Sequence, residues 1–202
     1  MRIYLIRHGQ TEWNAKDLAL GQTDIDLSEK GKAQLVRLKE RFASVPVDRI
    51  ISSDLLRCRE TSAAVAGDKG TPIEFLPALR ERSFGSWEGK ENKVVNTQLF
   101  EMAQDNGLPL YDAKAPGGES HRDVWNRVEP VLFPYFQEDE QLVIVTHGGT
   151  CRVILSILLK GTLDTTFGFR IEHSAVNQID RRPDGPFILN VYNDCSHLSG
   201  LV

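Results

Sequence analysis

The apolar positions of this chain change their period several times, and each change predicts an element. Arg2–Ile6 is one charge followed by an unbroken run, the pattern of a short buried strand. From Ser28 the spacing lengthens. Leu35, Leu38 and Phe42 share one helical face, with Ser28 placed as its N-cap. Val47–Ser52 reads as a second strand, followed by a helix through Leu55, Cys58 and Ala66, and Ile73–Phe75 as a third. Leu142–Thr146 is β-branched and uninterrupted, as in a strand covered on both faces, and a helix over Val153–Leu159 follows it. Near the end, Ala175–Asp180 and Phe187–Tyr192 flank a turn at Pro183–Gly185 and predict a hairpin at a sheet edge.

Strands alternating with helices predict an α/β fold of three layers, α/β/α, around a mostly parallel central sheet. One stretch, between Gly89 and Gly117, breaks the alternation. It holds a helix around Val94–Ala103 and then a loop rich in Gly and Pro. We read it as a small helical cap inserted over the sheet at about 90–116. Pro116–Ser120 then leads into a helix over Asp123–Phe136. One domain with this insertion fits 202 residues better than two domains do.

Composition narrows the partners. A net charge of −4 offers no general attraction to nucleic acid or an anionic membrane, so any anion must be held by a local cluster of cations. The strand-like RIYLI after Met1 is neither a long apolar stretch nor followed by a small-residue cleavage site, so no secretory signal is expected, and the apolar run Val153–Leu159 is too short to span a bilayer. Cys58, Cys151 and Cys195 are few, odd in number and widely spaced, which suits free thiols in a reducing cytoplasm. No phosphate-loop pattern surrounds any of them, so they are expected as buried small hydrophobes.

Two strands end alike. The first runs into Arg7-His8-Gly9 and the later one into His147-Gly148-Gly149. In parallel sheets ligands bind at the carboxyl ends of strands, so two neighbouring strands of this kind would set His8 opposite His147. Glycine after each histidine allows close backbone approach to a ligand. Arg57 and Arg59 follow a third strand end, and Arg57 lies nearer the crevice. Arg7 and Arg57 around two histidines describe a pocket for a tetrahedral dianion, since guanidinium matches phosphate oxygens in bidentate fashion. There a neutral imidazole attacks phosphorus, a second histidine held protonated donates to the equatorial oxygens, and the arginines neutralise spreading charge. Glu81 and Glu88, in LRERSFGSWEG, are candidates for the acid that protonates the leaving alkoxide.

Six ordered motifs, RHGQTEWN, LSEKG, SSDLLRCRET, LRERSFGSWEG, PGGES and VTHGG, together resemble the histidine phosphatase superfamily over nearly the whole chain. Its relatives include phosphoglycerate mutases, fructose bisphosphatases, α-ribazole phosphatases and broad-specificity phosphatases. The resemblance implies that His8 is the nucleophile that becomes phosphohistidine. Arg7, Arg57 and His147 would complete the phosphate pocket and Glu81 would donate the proton. Asn14 and the Gly148 backbone would hydrogen-bond the phosphoryl group, with Gln10, Gln22 and Thr23 lining the mouth. It implies no metal and no cofactor. His8 and Glu12 stand four apart, as a helical metal pair would, but no third ligand follows in a zinc signature.

Among the remaining candidates, His121 is expected at the surface, and His173 and His197 as hydrogen-bonded structural histidines. Glu88 is expected to anchor its turn, and for Arg59, Arg80 and Arg82 solvation or ion pairing and ligand binding are equal expectations. Phe84, Trp87, Phe100, Leu108 and Tyr111 are expected to serve packing more than an apolar wall. The cap, Asn92–Ala115, carries only Lys93 and Lys114 against Glu101, Asp105 and Asp112, a poor seat for a second phosphate. The expected activity is therefore hydrolysis of a small phosphorylated metabolite. Mutase-type transfer is the alternative, and an inactive binding module fits less well because the motif residues are all retained. A homodimer follows only by analogy between folds.

Overall fold

The computed structural model describes residues 1–137, 139–182 and 185–201. Six strands form one sheet: β1 (Arg2–Arg7), β2 (Arg49–Ser52), β3 (Ile73–Phe75), β4 (Gln141–Thr146), β5 (Val176–Arg181) and β6 (Phe187–Asp194). Their order is β3-β2-β4-β1-β5-β6. The first four run parallel, and β5 and β6 are antiparallel additions at one side. Pro183 and Asp184 of the expected turn lie outside the described residues; the strands on either side pair as a hairpin.

Side-chain alternation builds the three layers. Ile3 and Leu5 of β1, Leu142 and Ile144 of β4 and Ile51 of β2 point to one face. There they pack on α5 (His121–Leu132) and α6 (Gly148–Leu158). Tyr4, Ile6, Val143, Val145 and Ile50 point to the other face, against α2 (Glu29–Phe42) and α3 (Leu56–Ala66). A strand buried on both sides has no polar alternation, which is why Leu142–Thr146 reads as a continuous run. The sequence between Gly89 and Gly117 contains α4 (Asn92–Asp105), whose Val95, Leu99 and Ala103 form a small separate cluster with Ala19, Trp87, Ala113 and Ala115. No helix among the described residues is long and apolar enough to cross a membrane.

Most boundaries differ from the sequence reading by one or two residues. Two differ by more. The helix expected over Asp123–Phe136 begins at His121 and is α-helical only to Leu132; its last turn, Phe133–Phe136, tightens to 3-10, with Pro134 at the turn's start. The helix expected from Val153 begins at Gly148, five residues earlier. That shift puts a helix N-terminus beside the candidate histidine.

Candidate active site

Strand register brings the two histidines together. Arg7 of β1 pairs with Thr146 of β4, and the His8 N–H donates to the Thr146 carbonyl at 2.9 Å. The rings of His8 and His147 follow at the same level, with centroids 5.1 Å apart. β2 ends on the far side of β4, where Ser53 N–H donates to the Val145 carbonyl. Three strand ends thus meet where the chain, having stepped outward to β3, returns inward to β4, the expected place for a ligand crevice. A cavity of about 320 Å³ opens there, bordered by Arg7, His8, Asn14, Arg57, Glu81 and Gly148.

His8 is buried, and its Nδ1 lies 2.7 Å from the Gly9 carbonyl. A carbonyl only accepts, so Nδ1 carries the proton and Nε2 keeps its lone pair. Burial, reinforced by Arg57, His147 and Arg7, holds the His8 pKa well below the usual 6.5. The ring is a neutral nucleophile with its orientation set. Arg57 is buried with each of its nitrogens engaged: Nε–H donates to His147 Nδ1 at 3.1 Å, and the two terminal nitrogens donate to the carbonyls of Thr23 and Gly21. Arg7 donates from Nη1 to the Ile171 carbonyl at 2.6 Å. Its buried Nε has no partner among the described residues. An unmet guanidinium N–H in a buried site is costly, and an anion in the cavity would relieve it.

Glu81 sits at the start of α6. Its carboxylate accepts from the backbone N–H groups of Arg82 (2.8 Å), Gly149 (2.9 Å) and Thr150 (3.2 Å). His147, the residue before α6, makes no side-chain cap, so Glu81 caps the helix from a distant part of the chain. A side chain at Gly149 would place its Cβ 2.5 Å from Glu81 Oε1, so glycine is needed for the carboxylate to reach these amides. Asn14 Oδ1 accepts from both the N–H and the hydroxyl of Thr11, which leaves the amide nitrogen for the cavity wall it helps form.

Several expectations change. His147 does not carry the extra proton assigned to it. Its Nδ1 accepts from Arg57, its Nε2 lies 2.8 Å from Ser53 Oγ, and burial with the cations Arg57 and Arg7 lowers its pKa well below 6.5. Gln10, Gln22 and Thr23 are not brought to the cavity wall. Gln10 accepts from Ser28 at the start of α2, Gln22 donates to the Glu81 carbonyl, and the Thr23 carbonyl holds Arg57, so all three support the loops instead. His121 is not at the surface. Its ring is buried against Phe167, with Nδ1 3.2 Å from Thr166 Oγ1, because the turn Leu163–Gly168 folds over the start of α5. His173 is not a satisfied structural histidine. Its ring lies 5.7 Å from that of His8 and its buried Nε2 has no partner among the described residues.

Some other side chains fall where expected. Glu88 accepts from the Gln22 and Thr23 N–H groups, the Thr23 hydroxyl and the Phe84 N–H, tying its turn to the loop that holds Arg57. Arg80 is ion-paired with Asp54 at 2.6 Å, and Arg59 lies over the Phe75 ring. Of the residues expected to pack, Trp87 is buried under the cap, but Phe84 lines the cavity, and Phe100 and Leu108 are exposed, contrary to that expectation. Arg82, for which ligand binding and solvation were equal expectations, lines the cavity, and so does a residue the sequence reading missed, Arg152, four positions after Gly148. For Arg152 the i, i+4 spacing was available as a signal once α6 is started at Gly148. Among the described residues no three His, Cys, Asp or Glu side chains gather as a metal would require.

The family model described as "Histidine phosphatase superfamily (branch 1)" matches residues 3–194. The chain belongs to this superfamily. Membership makes it an enzyme of the phosphatase class. Its sequence is 28% identical over 204 residues to "Probable phosphoglycerate mutase GpmB" of Salmonella choleraesuis, covering 98% of this chain and 95% of that one. The structure is similar to that of an α-ribazole phosphatase from Shigella flexneri, with a TM-score of 0.84, 27% identity and 96% of each chain covered. It is also similar to a mutant phosphoserine phosphatase from Entamoeba histolytica solved with phosphoserine, with a TM-score of 0.79, 26% identity and 98% of each chain covered.

Proposed function

We propose that this chain is a metal-independent phosphomonoesterase that hydrolyses a small phosphorylated metabolite through a phosphohistidine on His8. The reading rests on one observation above the others: a neutral His8, with its Nδ1 proton committed to Gly9, stands beside the buried and partly unmatched guanidinium of Arg7. In the first step His8 Nε2 attacks phosphorus, the ester P–O bond breaks, and the carboxyl of Glu81 gives its proton to the leaving alkoxide. Arg7, Arg57, the Asn14 amide and the Gly148 N–H bear the charge on the transferring oxygens. In the second step Glu81 takes a proton from water, the hydroxide attacks phosphorus, and the P–N bond breaks to release inorganic phosphate and neutral His8.

His8→Ala is expected to abolish turnover while inorganic phosphate still binds. Trapping the wild-type enzyme during turnover should yield an acid-labile, base-stable phosphoenzyme. Normal turnover by the variant, or a base-labile adduct, would refute the assignment.

Mutase-type transfer is a second reading, supported by the name of the Salmonella relative and by Arg82 and Arg152. Neither lysine of the cap lines the cavity, whose cap residues are the neutral Asn92 and Asn96, but the scaffold supplies these two arginines. Transfer of labelled phosphate to an acceptor monoester, measured against release to water, separates the two readings.

A further inference from the structure

Near the end of the sequence stands YNDCSHL, residues 192–198, a stretch with no part in the phosphoryl chemistry above. Its first two side chains, at the end of β6, reach a strap of residues 170–174 that lies against the carboxyl end of β1. Three contacts run from this strap to Arg7 and His8. The Ile171 carbonyl accepts from Arg7 Nη1 at 2.6 Å, the Ser174 N–H is shared between the carbonyls of Arg7 (3.0 Å) and His8 (3.3 Å), and the His173 ring lies 5.7 Å from that of His8. Arg7 has little else to hold it. Among the described residues the Ile171 carbonyl is the one hydrogen-bond partner of its guanidinium, which otherwise lies against Gly148, where a Cβ would stand 3.3 Å from Arg7 Cζ.

The strap belongs to no helix or strand, so no ladder of backbone bonds fixes it. Side chains do. Asn193 Oδ1 accepts from the Glu172 N–H at 2.8 Å. That N–H and the Ile171 carbonyl are two ends of one planar peptide, so an acceptor on the first sets the direction of the second. The same bond polarises the peptide and makes its carbonyl a better acceptor for Arg7. Asn193 is itself tied down: its N–H donates to Asn177 Oδ1 at 2.8 Å, and the buried Asn177 donates from Nδ2 to the Leu5 carbonyl of β1 at 3.0 Å. Tyr192 grips the residue before, its hydroxyl accepting from the Arg170 N–H (2.6 Å) and donating to the Arg170 carbonyl (2.7 Å). The backbone at Asn193 is left-handed, with φ at 50°, a conformation that asparagine tolerates better than most residues.

We propose that Asn193 is a positioning residue for the phosphoryl pocket: through the Ile171–Glu172 peptide it aims the carbonyl that sets the Arg7 guanidinium, and Tyr192 steadies the same strap. This rests on the phosphate pocket of the reading above. Asn193→Gly keeps the left-handed backbone and removes the acceptor, whereas Asn193→Asp keeps both. Calorimetry with inorganic phosphate should show affinity weakened by about 5- to 20-fold in Asn193→Gly and within about threefold of wild type in Asn193→Asp. A double-mutant cycle supplies the readout that a merely structural role would not move. With p-nitrophenyl phosphate as substrate, Asn193→Gly added to Arg7→Ala should lower kcat/KM by less than about twofold further, because the group it acts through is gone. The full loss on top of Arg7→Ala, or unchanged phosphate affinity in Asn193→Gly, would overturn the role. Should Asn193→Gly fail to fold, Tyr192→Phe, at a side chain 42% exposed, runs the same cycle. Its phosphate affinity should fall by about two- to fivefold, and again only while Arg7 is present. Hydrolysis that survives His8→Ala would refute the phosphohistidine while leaving the phosphate measurements, and the role of Asn193, to stand.

Discussion

At the scale of single residues, the site depends on which nitrogens are already spoken for. Arg7 spends Nη1 on the Ile171 carbonyl and keeps Nε unpaired. A lysine there would retain the charge and lose the fork, so Arg7→Lys should weaken inorganic phosphate binding by about 10- to 100-fold. Calorimetry reads this directly; unchanged affinity would mean that Arg7 does not face the anion. His8 gives a second prediction. Its folded pKa is lowered, so the ring should stay neutral as pH falls through 6.5. Nitrogen-15 NMR of the imidazoles, assigned against His8→Ala, should show no titration of His8 near that value. Much of this was legible: Arg7, His8, Arg57, Glu81 and Gly148 were all named from motifs and do border one cavity. The protonation of His147 was not, because it depends on Arg57 Nε and Ser53 Oγ arriving from another strand end. Spacing along the chain carries no record of which donor meets which ring.

At the scale of elements, alternation on both faces of β1 and β4 made the layers readable, and Ser28 was readable as a cap: its hydroxyl accepts from the Gly31 N–H at 3.0 Å. The start of α6 was missed for a physical reason. Gly148 and Gly149 have poor helix propensity, and the cap that compensates comes from Glu81, far away in sequence. Likewise the LSEKG motif looked like an ordinary helix start, but its glycine is a docking point. A Cβ at Gly31 would lie 2.0 Å from the Gln10 carbonyl, so only glycine lets α2 close on the loop that follows the nucleophile. Gly31→Ala should therefore force backbone apart and cost about 2 kcal/mol or more in urea unfolding. Turnover should also fall, because Gly9 and Gln10 would move. Ser28→Ala, which removes the cap and the hydroxyl's bonds to Gln10 but moves no backbone, should cost about 1 kcal/mol. If Gly31→Ala proves no more harmful than Ser28→Ala, the close docking of α2 is wrong.

At the scale of the whole molecule, an acidic chain concentrates cations at one end of its sheet, and its histidines stay neutral beside them. All five histidines have pKa values below 6.5 in the folded state, with burial the first cause in each. Unfolding would expose them to water, where they take up protons below about pH 6.5. The unfolded state then binds more protons than the folded one, so stability is complete above 6.5 and is lost as pH falls toward the folded values. His121 and His197, at about 3 and about 4, place the window of loss for these two between 6.5 and their folded values. Asp54, Asp123, Asp180 and Asp194 have lowered pKa values and act separately, since their contribution holds above 3.8 and fades only below it. Each neutral buried histidine adds up to about 1.4 kcal/mol per pH unit to the slope. His121→Gln keeps an N–H for Thr166 but cannot take up a proton. Urea unfolding at a series of pH values between 6 and 4 should therefore show a shallower loss for this variant, by about one proton. An unaltered slope would mean that His121 is already free to protonate in the folded state, and that the cationic wall around it is more open to water than its packing against Phe167 and Thr166 implies.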